Sequence, residues 1–370
     1  MIHIEISRDE QLKPFTSFKV GGPASFFARA ATHEDFVEAL RFARREGQDV
    51  FLLGGGSNIL VSDNGFPGLV VHPVGRGIAI ETAGSEKATL RIEAGECWDE
   101  VVRQAVAEGF WGIESLSHIP GQAGAAIVQN IGAYGQQISD VFKSATVMQV
   151  ATGHVVKASS ADCGFGYRRS IFNSGIGNTL IILQIELVLS RLARLDLRYP
   201  DVRDYFKEHG IERPSAQQVR DAIIEIRDCK FPFPREEKGG NAGSFFKNLV
   251  LSEGEFETLR ANIQRNFSRE EEKRLEEIRK LSGFAGHVKV PTAFLIDICG
   301  LKGHCEGGAC VNENQPLVLL NNGGATAHDV LTLAGCVRRT VHARTGMTLH
   351  LEPELVGFNQ EEIEKYLALE

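Results

Sequence analysis

Apolar positions along this chain fall into short runs of two periods, and the runs predict the elements. Thr32, with Asp35 three residues on, precedes Phe36, Leu40 and Ala43 on one face, and Gly47 ends the run, which predicts a capped helix over 32–47. Residues 50–53 read as a buried strand that delivers the chain into Gly54, Gly55, Gly56, Ser57 and Asn58. Residues 89–94 alternate as a strand, and 98–108 carry Val101, Val102, Ala105 and Val106 at helical spacing before Gly109. A hairpin is predicted over 145–150 and 154–157, and a long buried strand over 180–189. Residues 191–214, polar and proline-punctuated, read as a linker. Beyond it Ser215 and Gln218 box the start of a helix, 268–280 reads as a solvated helix, and Thr326 caps a last long helix ending at Gly346. A strand over 348–354 follows. Strands and helices mix without strict βαβ alternation, so the fold class is α+β.

Two glycine-rich stretches change the picture. Residues 117–134 are too small for an ordinary core: Gly121, Gly124 and Gly132 admit positive φ or close approach, and Ala123, Ala125, Ala126 and Ala133 keep neighbouring side chains short. Their backbone N–H groups are then expected to face a pyrophosphate, the usual guest of such a nest. A tight turn with close helix–strand contact explains one such loop as well, but the 54–58 loop upstream is a second. It is not the dinucleotide fingerprint, because residues 59–61 continue as an apolar strand instead of opening a helix.

Composition narrows the function. At 370 residues two or three domains are expected, and a net charge of −8 argues against nucleic acid or an anionic membrane as the main partner. No apolar run approaches a membrane span, and the alternating, acid-bearing start lacks the pattern of a signal peptide, which points to the cytoplasm. The seven cysteines, an odd number, suggest no disulfide framework, and the spacing of Cys299, His304, Cys305 and Cys310 matches no zinc pattern, so no metal is expected.

Three further positions carry candidate chemistry. One arginine of the pair Arg168–Arg169, in Gly-Phe-Gly-Tyr-Arg-Arg, suits a carboxylate, since its fork binds bidentately; a surface arginine beside an aromatic turn is the bland alternative. Ser244 lies between flexible backbone and Phe245–Phe246 without the frame of a hydrolase nucleophile. Glu354 is a carboxylate among apolar neighbours, or simply a strand end.

Taken in order, the loop 54–58, Ile119-Pro120-Gly121, the run 129–135 (Gln-Asn-Ile-Gly-Ala-Tyr-Gly), Gly166-Tyr167-Arg168, Gly243-Ser244-Phe245-Phe246-Lys247-Asn248 and Leu351-Glu352-Pro353-Glu354 resemble the UDP-N-acetylenolpyruvoylglucosamine reductase family over nearly the whole chain. The resemblance implies a cytoplasmic enzyme of peptidoglycan precursor synthesis. It would reduce UDP-N-acetyl-3-O-(1-carboxyvinyl)glucosamine to UDP-N-acetylmuramate with NADPH, through FAD, as a monomer. It implies a two-lobed FAD-binding domain of the PCMH type, with lobes at 1–75 and 76–200 and residues 348–370 packing back, and a separate α+β substrate-binding domain at 214–347. Arg168, Ser244 and Glu354 match the catalytic positions. FAD would lie on Gly54, Gly55, Gly56, Ser57, Asn58, Pro120, Gly121, Gly124, Gln129, Asn130, Gly132, Ala133 and Tyr134. The UDP-sugar would meet Tyr199, Lys230, Lys247, Asn248 and Gln315. Ala125–Ala126 replaces hydroxyl residues of some relatives, and the spacer 235–238 is longer than in some. The alternatives are an FAD-dependent sugar or lactone oxidase, which shares the flavin loops but needs no Ser244, and a flavin-binding regulator without turnover.

Overall fold

The computed structural model describes residues 4–175, 177–193, 196–197, 199–284 and 286–369; the first residues of the alternating N-terminal segment, 1–3, lie outside them. The chain forms two compact units. One comprises Met1–Glu10, Ala24–Gly56 and Pro67–Cys229 as far as described, the other Gln11–Pro23, Ser57–Phe66 and Lys230–Glu370 likewise.

The first unit is built on two sheets. A four-stranded sheet runs Ile6–Gln11, Pro23–Ala30, Phe66–Pro73, Val50–Leu52, the last two parallel with Phe51 opposite Val70. The helix His33–Glu46 lays Phe36, Ala39, Leu40 and Ala43 into the same core as Leu69 and Val71. Its ends are those expected: the Thr32 hydroxyl accepts from Asp35 N–H, and Gly47 takes a left-handed φ of 62°.

An antiparallel five-stranded sheet, ordered Val155–Ser159, Phe142–Gln149, Leu180–Ser190, Lys87–Glu93, Ile78–Ala83, forms the second layer. Alternation in register, with Ile185 opposite Ile92 and Leu187 opposite Leu90, buries one face against the helix Trp98–Ala107. Each such aliphatic side chain contributes about 1.5–3 kcal/mol on burial. The proposed linker 191–214 instead contains a helix, Pro200–Glu208, whose Val202 and Phe206 are buried in this core. Proline at its first position is the start signal, because the missing N–H has no helical partner there anyway.

The second unit packs the helices Glu253–Asn266, Arg269–Ser282, Thr292–Ile298 and Ala327–Thr345 with small antiparallel sheets around Phe245, Phe246, Phe256, Val330, Leu333 and Val337. Arg269–Ser282 buries Leu275 and packs Ile278 against the same core, and apart from the exposed Leu281 its other residues are polar or charged. The C-terminal strand begins later than expected. It spans Glu354–Val356 and pairs in parallel with Ile59–Val61, so both segments cluster in this unit, whereas the sequence reading places 348–370 with the flavin lobes. The strand starts late because residues 350–352 are engaged by another partner, Phe245 to Lys247.

One cysteine pair, Cys305–Cys310, is disulfide-bonded, contrary to the expectation from cysteine count. The two face each other across the hairpin of Cys305–Glu306 and Ala309–Val311, with Cα atoms 4.1 Å apart. Among the described residues no helix is long and apolar enough to cross a membrane.

Candidate functional site

In the first unit the two glycine loops meet. A Cβ on Gly55 would lie 2.4 Å from Gly121 Cα, and one on Gly54 would lie 2.9 Å from the Ala125 methyl. Gly124 is equally constrained, 2.7 Å from the Ala94 methyl. The small residues therefore let backbone approach backbone, and Ala125 is small for the same reason. The expectation of bare N–H groups throughout needs correction. Ala123 N–H donates to Glu96 O at 2.8 Å and Gly124 N–H to Ala94 O at 2.9 Å, because this turn is stitched to the end of the strand Lys87–Glu93. Any anion nest falls to other N–H groups of the two loops. Gln122 Nε2 donates to Pro73 O at 2.9 Å while its Oε1 is buried with no hydrogen-bond partner among the described residues. A buried acceptor beside a cradle of glycines fits a dinucleotide that brings hydroxyl and imide donors. Pro120 precedes the cradle, and Gln129 ends the helix Ala123–Val128.

Downstream, Gly132–Ala133 pairs with Gln136–Gln137 around Tyr134 and Gly135, both left-handed at φ 47° and 87°. A non-glycine there is a strained residue held by its surroundings. Tyr134 is buried, its ring packs edge-on against Tyr199 at 5.2 Å, and burial pushes its phenol up to about 12. Asn130 (φ 47°) spends its amide on the neighbouring loop: Nδ2 donates to Gly166 O at 3.0 Å and Oδ1 accepts from Ser139 N–H at 3.1 Å.

That neighbouring loop carries Arg168. Gly166 and Arg169 close a tight turn with paired backbone bonds of 3.0 and 3.2 Å, which puts Arg168 at φ 53°. Asn173 Nδ2 donates to Arg168 O at 2.9 Å, and Arg168 Nη1 donates to Gly132 O at 3.3 Å. Arg168 is half-buried and Arg169 exposed, which separates the adjacent arginines. The first unit thus brings Gly132, Tyr134, Arg168 and Tyr199 into one cluster.

Sequence reasoning missed Arg227. It hydrogen-bonds the Tyr134 side chain, its Nε donates to His118 O at 3.0 Å, and burial pulls its guanidinium down from the ordinary range. Arg220, on the same helix Ala216–Lys230, grips Asp99 with two bonds of 2.6 and 2.7 Å. The available signal was two arginines seven apart, stacked along the flank of the face that carries Val219, Ile223 and Ile226.

In the second unit the segment 244–248 lies between two partners. Ser244 bridges Val318, and Phe245 N–H donates to Leu317 O at 2.8 Å, beside the turn in which Val318 N–H donates to Gln315 O at 2.9 Å. On the other side Phe246 bridges Leu351, Lys247 N–H donates to His350 O at 2.9 Å, and Glu352 N–H donates to Phe245 O at 2.9 Å. Ser244 itself is half-buried after Gly243 (φ 67°) and ahead of the fully buried Phe245 and Phe246. Asn248 Oδ1 accepts from Thr292 N–H at 3.0 Å, while Lys247 is exposed. Lys230 O accepts from Asn312 Nδ2 at 2.9 Å. Glu354 N–H donates to Asn58 O at 3.0 Å, and Asn58 Nδ2 donates to Glu352 O at 3.2 Å, so Ser57 and Asn58 belong with this unit. Surrounding protein raises the Glu354 carboxyl above the ordinary glutamate value, although the side chain keeps solvent access.

Residues 24–159 match the family described as FAD binding domain, and residues 234–356 match that described as UDP-N-acetylenolpyruvoylglucosamine reductase, C-terminal domain. The UDP-N-acetylenolpyruvoylglucosamine reductase of Pseudomonas syringae pv. syringae is 38% identical over 355 residues, covering 95% of this chain and 99% of that one. The reductase of the same name from Chromobacterium violaceum is 35% identical over 351 residues, covering 95% and 98%. Among solved structures, the UDP-N-acetylenolpyruvylglucosamine reductase of Thermus caldophilus superposes with a TM-score of 0.62 at 24% identity, covering 96% of this chain and all of that one, a likeness of fold.

Proposed function

Because the chain belongs to the UDP-N-acetylenolpyruvoylglucosamine reductase family, and is with it an FAD-dependent oxidoreductase, we propose that Arg168, Ser244 and Glu354 carry its reduction of the enolpyruvyl UDP-sugar to UDP-N-acetylmuramate. Bound FAD supplies the hydride, drawn from NADPH. The loops at Gly54, Gly55, Gly56, Gly121 and Gly124 would hold its pyrophosphate close to backbone.

As the alkene accepts hydride, negative charge builds on the adjacent carbon and its carboxylate, and a fixed cation there lowers the barrier. Arg168 supplies that cation, preorganised by the left-handed turn and by its bond to Gly132 O. Ser244 Oγ donates the proton that quenches the enolate, and a serine hydroxyl needs a fixed position to do so. Glu354, whose carboxyl lies above the ordinary glutamate value, orients the group or resupplies the proton. Tyr199, Lys230, Lys247, Asn248 and Gln315 bind the UDP-sugar.

The observation that carries the reading is the stitching of 244–248 between 315–318 and 350–352, which gathers sequence-distant motifs into one unit. The match of 234–356 to the reductase C-terminal domain favours this reading over a sugar or lactone oxidase. We read the enzyme as a cytoplasmic monomer. Anaerobic addition of NADPH should bleach the flavin, and the enolpyruvyl UDP-sugar should then restore its absorbance. Steady peroxide production from a simple sugar, with no response to the UDP-sugar, would overturn the assignment.

A further inference from the structure

We propose a zinc-class metal site in the second unit, built from His304, Glu306 and Cys336. His304 and Glu306 lie on the hairpin that carries Cys305, and Cys336 on the helix Ala327–Thr345. One ligand atom from each comes within 4.8 Å of the others. His304 Nε2 is the shared vertex, 3.5 Å from Cys336 Sγ and 3.3 Å from Glu306 Oε1. A tetrahedral zinc with bonds of about 2.3 Å to sulfur and about 2.0–2.1 Å to nitrogen and oxygen requires edges of roughly 3.5 and 3.4 Å, so two of the three edges are already set. Thiolate, imidazole and carboxylate together select zinc over magnesium or calcium, and three protein ligands leave a position for water.

The surrounding chain holds these side chains. Along the hairpin, side chains alternate, so His304 and Glu306 share the face opposite the Cys305–Cys310 disulfide. The turn at 307–308 is anchored to the same helix, Gly308 N–H donating to Asp329 Oδ2 at 3.3 Å. Asp329 and Cys336 are two turns apart on one helical face, and Thr332 lies between them. Thr332 Oγ1 is buried with no hydrogen-bond partner among the described residues. A water bound to a metal beside this helical face would offer that hydroxyl a partner.

The test is a titration of the FAD-loaded full chain with Co2+, without reductant so that the disulfide stays closed. Long-wavelength d–d bands, red of the flavin, should appear to one equivalent per chain and be displaced by Zn2+. His304→Ala and Cys336→Ser should abolish the bands, and Glu306→Gln should weaken cobalt binding about tenfold or more. The double variant Cys97→Ser/Cys229→Ser, which removes the two exposed cysteines outside the disulfide, should leave them unchanged. Flavin content and thermal midpoint report folding, and should Cys336→Ser fail to fold, the two hairpin variants decide. Absence of bands in the parent, persistence in His304→Ala, or loss in the double variant would each overturn the site.

Discussion

Gly55 and Gly121 stand so close that a Cβ on Gly55 would lie 2.4 Å from Gly121 Cα and 2.8 Å from its carbonyl carbon. Both neighbours are backbone, so no rotamer change can make room. Gly55→Ala should therefore push the two loops apart, at a cost of about 1–3 kcal/mol, and weaken FAD at least tenfold. Gly175→Ala, whose Cβ meets nothing within 4 Å, is the control and should bind FAD normally. Flavin fluorescence on titration with FAD, read beside thermal melts, checks both; a Gly55→Ala protein with undiminished FAD affinity would show that the contact does not shape the cofactor site.

The helices at His33–Glu46 and Ala327–Thr345 were legible because a cap, an apolar stripe and a terminal glycine agree in each. The boxes Ser252–Glu255 and Asn359–Glu362, which open Glu253–Asn266 and Gln360–Leu367, are equally local signals. The helix Pro200–Glu208 was hidden by the proline that starts it. Parallel pairing of Glu354–Val356 with Ile59–Val61 joins segments so distant in sequence that no local pattern announces it. At the site, the motif residues could be found by type, but not the carbonyls that consume the Ala123 and Gly124 N–H groups, nor the partners of Arg227. Those depend on packing between elements.

Arg168→Lys should retain FAD yet slow turnover severely. The lysine keeps the charge but cannot reproduce a planar fork that holds a carboxylate while bonded to Gly132 O. Arg169 is exposed, so Arg169→Lys should turn over within a few-fold of the parent. Steady-state rates of the two variants at matched FAD content make the comparison, and equal rates would remove Arg168 from its proposed role.

Glu354 gives a pH prediction. Burial raises its folded-state value above the ordinary glutamate value, so the folded protein holds the proton more tightly than the unfolded chain does. The stability this contributes is fully present below the unfolded value and is lost as pH rises through the folded value. Relative to Glu354→Gln, which cannot ionise, the parent should therefore lose stability as pH climbs from the acid side of that window to its basic side. Denaturant unfolding of both proteins across the range tests the sign; a difference constant with pH would mean an unshifted carboxyl.

Ser244→Ala separates chemistry from structure. The substitution deletes one hydroxyl, while Gly243 at φ 67° and the fully buried Phe245 and Phe246 keep the backbone in place. Reduction of the flavin by NADPH involves no enolate and should proceed at close to the normal rate. Reoxidation by the enolpyruvyl UDP-sugar needs the proton and should stall. General acid catalysis supplies a factor of about 10² to 10⁴, or roughly 3 to 5 kcal/mol of barrier, so reoxidation should fall at least a hundredfold. A folding defect would lose flavin and slow both half-reactions together. Stopped-flow measurement of each half-reaction under anaerobic conditions distinguishes the cases. Reoxidation within a few-fold of the parent would make Ser244 a turn residue and pass the proton to Glu354 or to water.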